Sequence, residues 1–201
     1  MSPKQSIPGN RVSRTEKELH LQQRGHVIWL YGLSGSGKST LAIALERQLI
    51  ARGILTALLD GDEIRAGLNH GLGFSDADRT ENLRRAAEVA RLFAQSGVVA
   101  ICAFITPLRS QRLLVGEIIG PGDMTAVHLS ASFSACARRD PKGLYAQAAA
   151  DQITQFTGRD SLFEAPPPGT DSLIVDTETE SPSTSLARLH TIIEPRIRPA
   201  R

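Results

Sequence analysis

Val27-Ile28-Trp29-Leu30-Tyr31 runs directly into Gly32-Leu33-Ser34-Gly35-Ser36-Gly37-Lys38-Ser39-Thr40. The first five residues are apolar and rich in strand formers, which predicts a buried β-strand. The stretch from Gly32 to Ser39 matches the spacing GxxxxGK[ST] without a gap. Beyond it, Leu41, Leu45 and Leu49 recur every four residues and predict a helix over about 38–51, with Gly53 as its stop. Strand, glycine-rich turn and helix form the context in which this spacing cradles phosphate. Glycines let backbone N–H groups approach phosphate oxygens, and the helix points its positive end at the same place. Lys38 supplies a point charge for the β- and γ-phosphates of a nucleoside triphosphate, and the Ser39 hydroxyl is placed to ligate Mg²⁺.

The rest of the chain alternates in the same way. Strands are expected at 54–59, 98–104, 125–129 and 173–175. Helices are expected at 78–95, 107–119, 132–139 and 183–193, the last stopped by Pro195. Strands alternating with helices predict an α/β fold with a five-stranded parallel sheet between two helical layers. Residues 140–170 interrupt the pattern with Gly143, Gly158, Gly169 and the run Pro166-Pro167-Pro168, so this segment is expected to be a lid. Residues 1–24 are expected to be a polar N-terminal extension, and 25–201 a single domain.

Composition narrows the function. The chain has 201 residues, 41% hydrophobic and 22% charged, with a net charge of +2. That charge is too small to argue for a nucleic-acid or membrane partner, so neither is expected. Residues 1–25 carry no apolar core of a signal peptide, and the two cysteines, Cys102 and Cys136, form no CxxC pair. Two buried thiols in a reducing cytoplasm are expected. There are only four lysines, and Lys38 and Lys142 fall within motifs.

Ligands in open α/β sheets gather at the carboxyl ends of the strands. Asp60-Gly61-Asp62 ends the second strand. Asp60 is expected to cap the following helix, and Asp62 to accept a hydroxyl proton or to hold Mg²⁺ through water. Arg65 follows one turn later and suits an anion. Phe74 sits in a glycine-flanked loop, where it either stacks on a base or tucks onto the core. Arg79, Asn82 and Arg85 recur at i, i+3 and i+6, as a solvated charged face or an anion site.

These residues carry a family resemblance. GLSGSGKST (32–40), LLDGDEIRAGLN (58–69), LGFSDADRTENLRR (72–85), AFITP (103–107), RDPKGLY (139–145), FTG (156–158) and FEAP (163–166) occur in order. The set resembles the adenylyl-sulfate kinases, a family of P-loop kinases, from about residue 12 to 177. The resemblance implies transfer of the ATP γ-phosphate to the ribose 3′-hydroxyl of adenylyl sulfate. It implies strand order 2-3-1-4-5, Mg²⁺ and a cytoplasmic homodimer. Lys38, Asp62 and Thr106 would then be catalytic. Residues Gly32 to Thr40 and Arg139 would hold ATP. Asp62, Arg65, Phe74, Arg79, Asn82, Ile105, Thr106, Lys142, Gln155 and Phe156 would hold adenylyl sulfate, with Phe74 and Phe156 sandwiching its adenine. This chain departs from the family's usual pattern at Thr106 (Ser), Glu63 (Asn) and Phe163 (Tyr), and in the lysine-poor lid at Ala146-Gln147. With threonine at 106, direct in-line transfer is expected rather than a phosphorylated intermediate. A related kinase acting on another small hydroxyl acceptor, and a non-catalytic nucleotide-binding regulator, are the competing readings.

Overall fold

The computed structural model describes residues 11–167, 169, 170 and 172–199. The first ten residues of the expected extension and Pro168 lie outside the described residues.

Five strands form one parallel sheet: β1 (His26–Tyr31), β2 (Thr56–Asp60), β3 (Val99–Phe104), β4 (Met124–Ser130) and β5 (Leu173–Asp176). Their order is β2-β3-β1-β4-β5. β1 is central, and all six of its residues are buried. It pairs with β3 from His26↔Val99 to Tyr31↔Phe104 and with β4 from Val27↔Met124 to Tyr31↔His128. Burial on both faces explains why β1 reads as a continuous apolar run rather than an alternating one.

Among the described residues eight helices surround the sheet: α1 (Arg14–Leu21), α2 (Lys38–Ile50), α3 (Gly61–Ala66), α4 (Asp76–Gln95), α5 (Arg109–Ile119), α6 (Phe133–Arg139), α7 (Leu144–Ala149) and α8 (Pro182–Ile197). Alternate residues of β1 face opposite layers. Ile28 and Leu30 join α2 and α8 in one core, with Leu41, Leu45, Leu189 and Ile193. Val27, Trp29 and Tyr31 join α4 and α5 in the other, with Leu83, Ala86, Ala87, Ala90 and Val115. The alanine stripe of α4 lets that helix lie close to the sheet.

Besides α7, a helix within the segment expected to be a lid, two features differ from expectation. The polar extension contains α1, opened by a capping box: Ser13 Oγ accepts from Glu16 N–H, and Glu16 Oε2 accepts from Ser13 N–H. No residue of α1 is buried, so apolar periodicity gave no signal. It is held instead by Arg14, which reaches Asp123 through two bonds of 2.5 and 2.8 Å and also donates to Glu18. The buried Gln23 side chain then bonds Gly97 O and both the N–H and the carbonyl of Leu55.

The second difference is Pro195, which lies inside α8 rather than stopping it. A proline in a helix removes one backbone hydrogen bond and crowds the preceding turn. Here Ile193 and Ile197 on either side are both buried in the core. Arg24 N–H also satisfies the carbonyl of Ile197 at 2.7 Å, so the helix continues past the proline.

Candidate active site

The phosphate-binding turn follows β1 as its spacing requires. Gly35 has φ +73°, and a Cβ there would lie 3.0 Å from the carbonyl oxygen of Cys136. At Gly32 an added Cβ would come within 2.5 Å of Leu129 O. Glycine is therefore needed once for conformation and once for space. α2 starts at Lys38 with no side-chain cap. Its first-turn N–H groups are left for a ligand. Lys38 Nζ is folded back onto Gly32 O (3.0 Å) and Leu33 O (2.7 Å). Burial is the main force on this ammonium and pushes its pKa down to about 8.

Asp60 does two things. Its Oδ1 accepts from Asp62 N–H at 3.0 Å and so caps α3, as expected. Its Oδ2 accepts from Ser39 Oγ at 2.6 Å, which the sequence did not reveal. The hydroxyl proposed for a metal is thus oriented by a carboxylate from the end of β2. Asp62 is largely exposed and forms an ion pair with Lys142, which comes from the segment between α6 and α7.

One cavity of about 1000 Å³ crosses the carboxyl ends of the strands. Ser34, Gly35, Gly37, Lys38, Ser39, Thr40 and Arg139 line it, whereas Gly32, Leu33 and Ser36 sit outside its lining. Asp62, Arg65, Phe74, Arg79, Asn82, Ile105, Thr106, Lys142, Gln155 and Phe156 also line it. The sequence-derived residues therefore converge on one space, with Arg139 beside the phosphate turn at Gly35 O (3.4 Å) and Arg65 and Arg79 beside Phe74. Arg85 does not join them; it pairs with Glu81 at 2.7 Å on the outer face of α4.

Arg79 is the most buried of the described arginines, at 9% exposure. It donates from Nε to Phe74 O (2.9 Å), from Nη1 to Thr157 Oγ1 (3.0 Å) and from Nη2 to Gln155 O. The guanidinium thereby joins α4 to the loop before it and to residues 155–157. Arg65 donates to Gly73 O at 2.9 Å and lies 4.6 Å over the ring of Phe74. Phe74 itself is 58% exposed, so it is not tucked onto the core. Phe156 is buried and packs edge-on against Tyr145 at 4.8 Å.

Thr106 is 1% exposed and has φ +43°. Its hydroxyl accepts from Trp29 Nε1–H at 2.9 Å, and its carbonyl from Arg112 Nη1 at 3.1 Å. Two residues that shape the site lie inside the quoted stretches but had no role expected of them. Asn69 is fully buried and donates to Asn82 Oδ1 at 3.0 Å, and Tyr145 Oη donates to Ser34 O at 2.8 Å. Beyond Arg139 the cavity runs on to Thr177, Glu178 and Pro182 at the start of α8.

A family model described as adenylylsulphate kinase matches residues 24–174. The chain belongs to that family. An adenylyl-sulfate kinase of Bacteroides fragilis is 48% identical over 186 residues, covering 92% of this chain and 91% of its own length. Among solved structures, the APS kinase of Mycobacterium tuberculosis in complex with AMPPNP and APS superposes with a TM-score of 0.80. It is 42% identical and covers 85% of this chain and 98% of its own. The hexameric APS kinase of Thiobacillus denitrificans gives a TM-score of 0.64 at 29% identity, over 87% of this chain and 29% of its own. As an adenylylsulphate kinase family member, the chain has the expected sheet order. Its aromatic column Tyr31–His128–Phe163, with ring centroids 5.1 and 5.7 Å apart, contains the phenylalanine that stands where tyrosine was expected. Phe163 needs no hydroxyl partner there, since its neighbour in the column is the ring of His128.

Proposed function

We propose that this protein transfers the γ-phosphate of ATP to the ribose 3′-hydroxyl of adenylyl sulfate, giving ADP and 3′-phosphoadenylyl sulfate. The observation that carries the reading is the single cavity with two chemically different ends. A phosphate turn with Lys38 serves one end. Two arginines, an exposed aromatic and a lid lysine serve the other, which suits a purine that bears anionic groups. In the proposed reaction the 3′-oxygen attacks the γ-phosphorus in line, the bond to the ADP oxygen breaks, and Asp62 takes the hydroxyl proton. Lys142 must leave Asp62 for this, and the acceptor's anionic groups give it somewhere to go. The Thr106 hydroxyl already accepts from Trp29, which favours direct transfer over a phosphorylated threonine.

Among the described residues no group of three or more His, Cys, Asp or Glu could hold a metal ion by itself. Mg²⁺ needs no such group, because it binds one or two protein oxygens and takes the rest from phosphates and water. The Ser39–Asp60 pair fits that requirement. Bound there with ATP, Mg²⁺ would neutralise charge on the phosphates. From the family resemblance we also infer a cytoplasmic homodimer, which sedimentation of the purified protein tests. No helix of the described residues is long and apolar enough to cross a membrane.

The test is ADP release from Mg²⁺-ATP with low concentrations of adenylyl sulfate, the product being identified by mass. Adenylyl sulfate should support turnover and AMP should not. Turnover with a nucleoside or sugar instead would move the reading to another hydroxyl acceptor. ATP binding with no acceptor-dependent ADP would make the protein a nucleotide-binding regulator.

A further inference from the structure

We propose that Trp29 is a positioning residue for the acceptor, acting through Thr106. This rests on the adenylyl-sulfate reading above. Threonine is β-branched, and a left-handed backbone is strained for such a residue. Strain of this kind persists only where the surroundings over-determine it. At Thr106 they do. The carbonyl of Ile105 accepts from Gly32 N–H at 3.2 Å, which ties the turn after β3 to the phosphate-binding turn. Arg112 Nη1 holds the carbonyls of Thr106 (3.1 Å) and Pro107 (2.9 Å). Those contacts are to the backbone. Among the described residues, the bond to the Thr106 side chain comes from Trp29 Nε1–H, at 2.9 Å.

Trp29 is well suited to this. It is 1% exposed, and its ring lies 4.9 Å from that of Phe104, inclined by 16°. Sheet packing therefore fixes the indole, and its N–H direction with it. A buried indole N–H requires an acceptor, and Thr106 Oγ1 supplies it. The bond thus couples the middle of the central strand to a turn that lines the acceptor half of the cavity. With the hydroxyl held, Ile105 and Thr106 keep one backbone arrangement before the acceptor arrives, which lowers the ordering cost of binding.

The chain has a single tryptophan, so its indole N–H gives one resolved signal in a nitrogen-15 correlation spectrum. T106V deletes the acceptor at nearly constant volume, and T106S keeps it. We expect the indole signal to move and its hydrogen exchange to quicken in T106V, and to stay near the wild-type position in T106S. In kinetics, W29F keeps the ring stack and removes only the donor. It should raise the KM for adenylyl sulfate by roughly three- to tenfold, the worth of one buried neutral hydrogen bond, and leave the KM for ATP within about twofold. W29F combined with T106V should lose no more than either alone, because both remove the same bond. An indole signal unmoved in T106V overturns the proposal. So does a W29F enzyme with unchanged KM for the acceptor, or with equal losses for both substrates. A wild-type enzyme without acceptor-dependent ADP release would remove the functional reading and this proposal together. An active wild type with an unaffected W29F removes the proposal alone.

Discussion

Replacing Arg79 with lysine should loosen residues 153–161 without unfolding the protein. The arginine spreads three hydrogen bonds over the Phe74 loop, Thr157 and Gln155. A lysine ammonium lacks the planar fork and can keep about one of them at this geometry. Each lost charge-assisted bond is worth ~1.5–3 kcal/mol. Water entering from the cavity recovers part of that, leaving a net cost of about 2–4 kcal/mol. The partners Gln155 and Thr157 lie outside both cores, so the cost falls on local opening of residues 153–161 rather than on global stability. Opening should become more populated by on the order of a hundredfold. Hydrogen exchange read peptide by peptide checks this, and the rate over 153–161 should rise while that of β1 and β3 does not. The KM for the acceptor should rise with it. Wild-type exchange over 153–161 in R79K would refute the idea that Arg79 fastens this segment.

The remaining predictions concern buried charge and the docked helix. Lys38→Met removes an ammonium whose pKa burial has pushed down to about 8, so nucleotide binding should be lost by calorimetry while the Tm of the free protein holds or rises. For wild type without nucleotide, the unfolded chain binds more protons between about pH 8 and the ordinary lysine value. Lys38 should therefore make stability rise with pH across that window, and K38M should flatten the rise in urea titrations. His26 and His128 are held neutral by burial, each with its pKa pushed down to about 4. The unfolded state then binds the extra protons between about pH 6.5 and 4, so stability should fall on acidification through that range, and H26Q/H128Q should fall less. Arg14→Ala removes both bonds to Asp123 and should raise proteolysis within residues 11–24, with little effect on ATP binding.

Much of the fold was legible because its signals are local. The phosphate turn needs only eight neighbouring residues, and the five strands are apolar runs bounded by glycine or aspartate. What failed to show depends on contacts distant in sequence. α1 has no buried residue, and only the Ser13–Glu16 spacing marked its start. Pro195 looked like a stop because proline's cost is local, whereas the packing of Ile197 that outweighs it is not. Within the cavity, spacing found the phosphate turn and the family resemblance supplied most of the remaining lining, but neither gave the links between the parts. The Ser39–Asp60 bond spans 21 positions and the Trp29–Thr106 bond 77. Asp60 illustrates the gap well: its capping role follows from its neighbours, and its second role from Ser39 in the first turn of α2.

The bond from Arg24 N–H to Ile197 O has a consequence for engineering. It brings the entrance of β1 and the exit of α8 side by side at the amino end of the central strand. The cavity opens at the other end, where β1 gives way to the phosphate turn. Partners fused before residue 24 or after residue 197 would therefore emerge near one another, with the sheet between them and the mouth of the cavity.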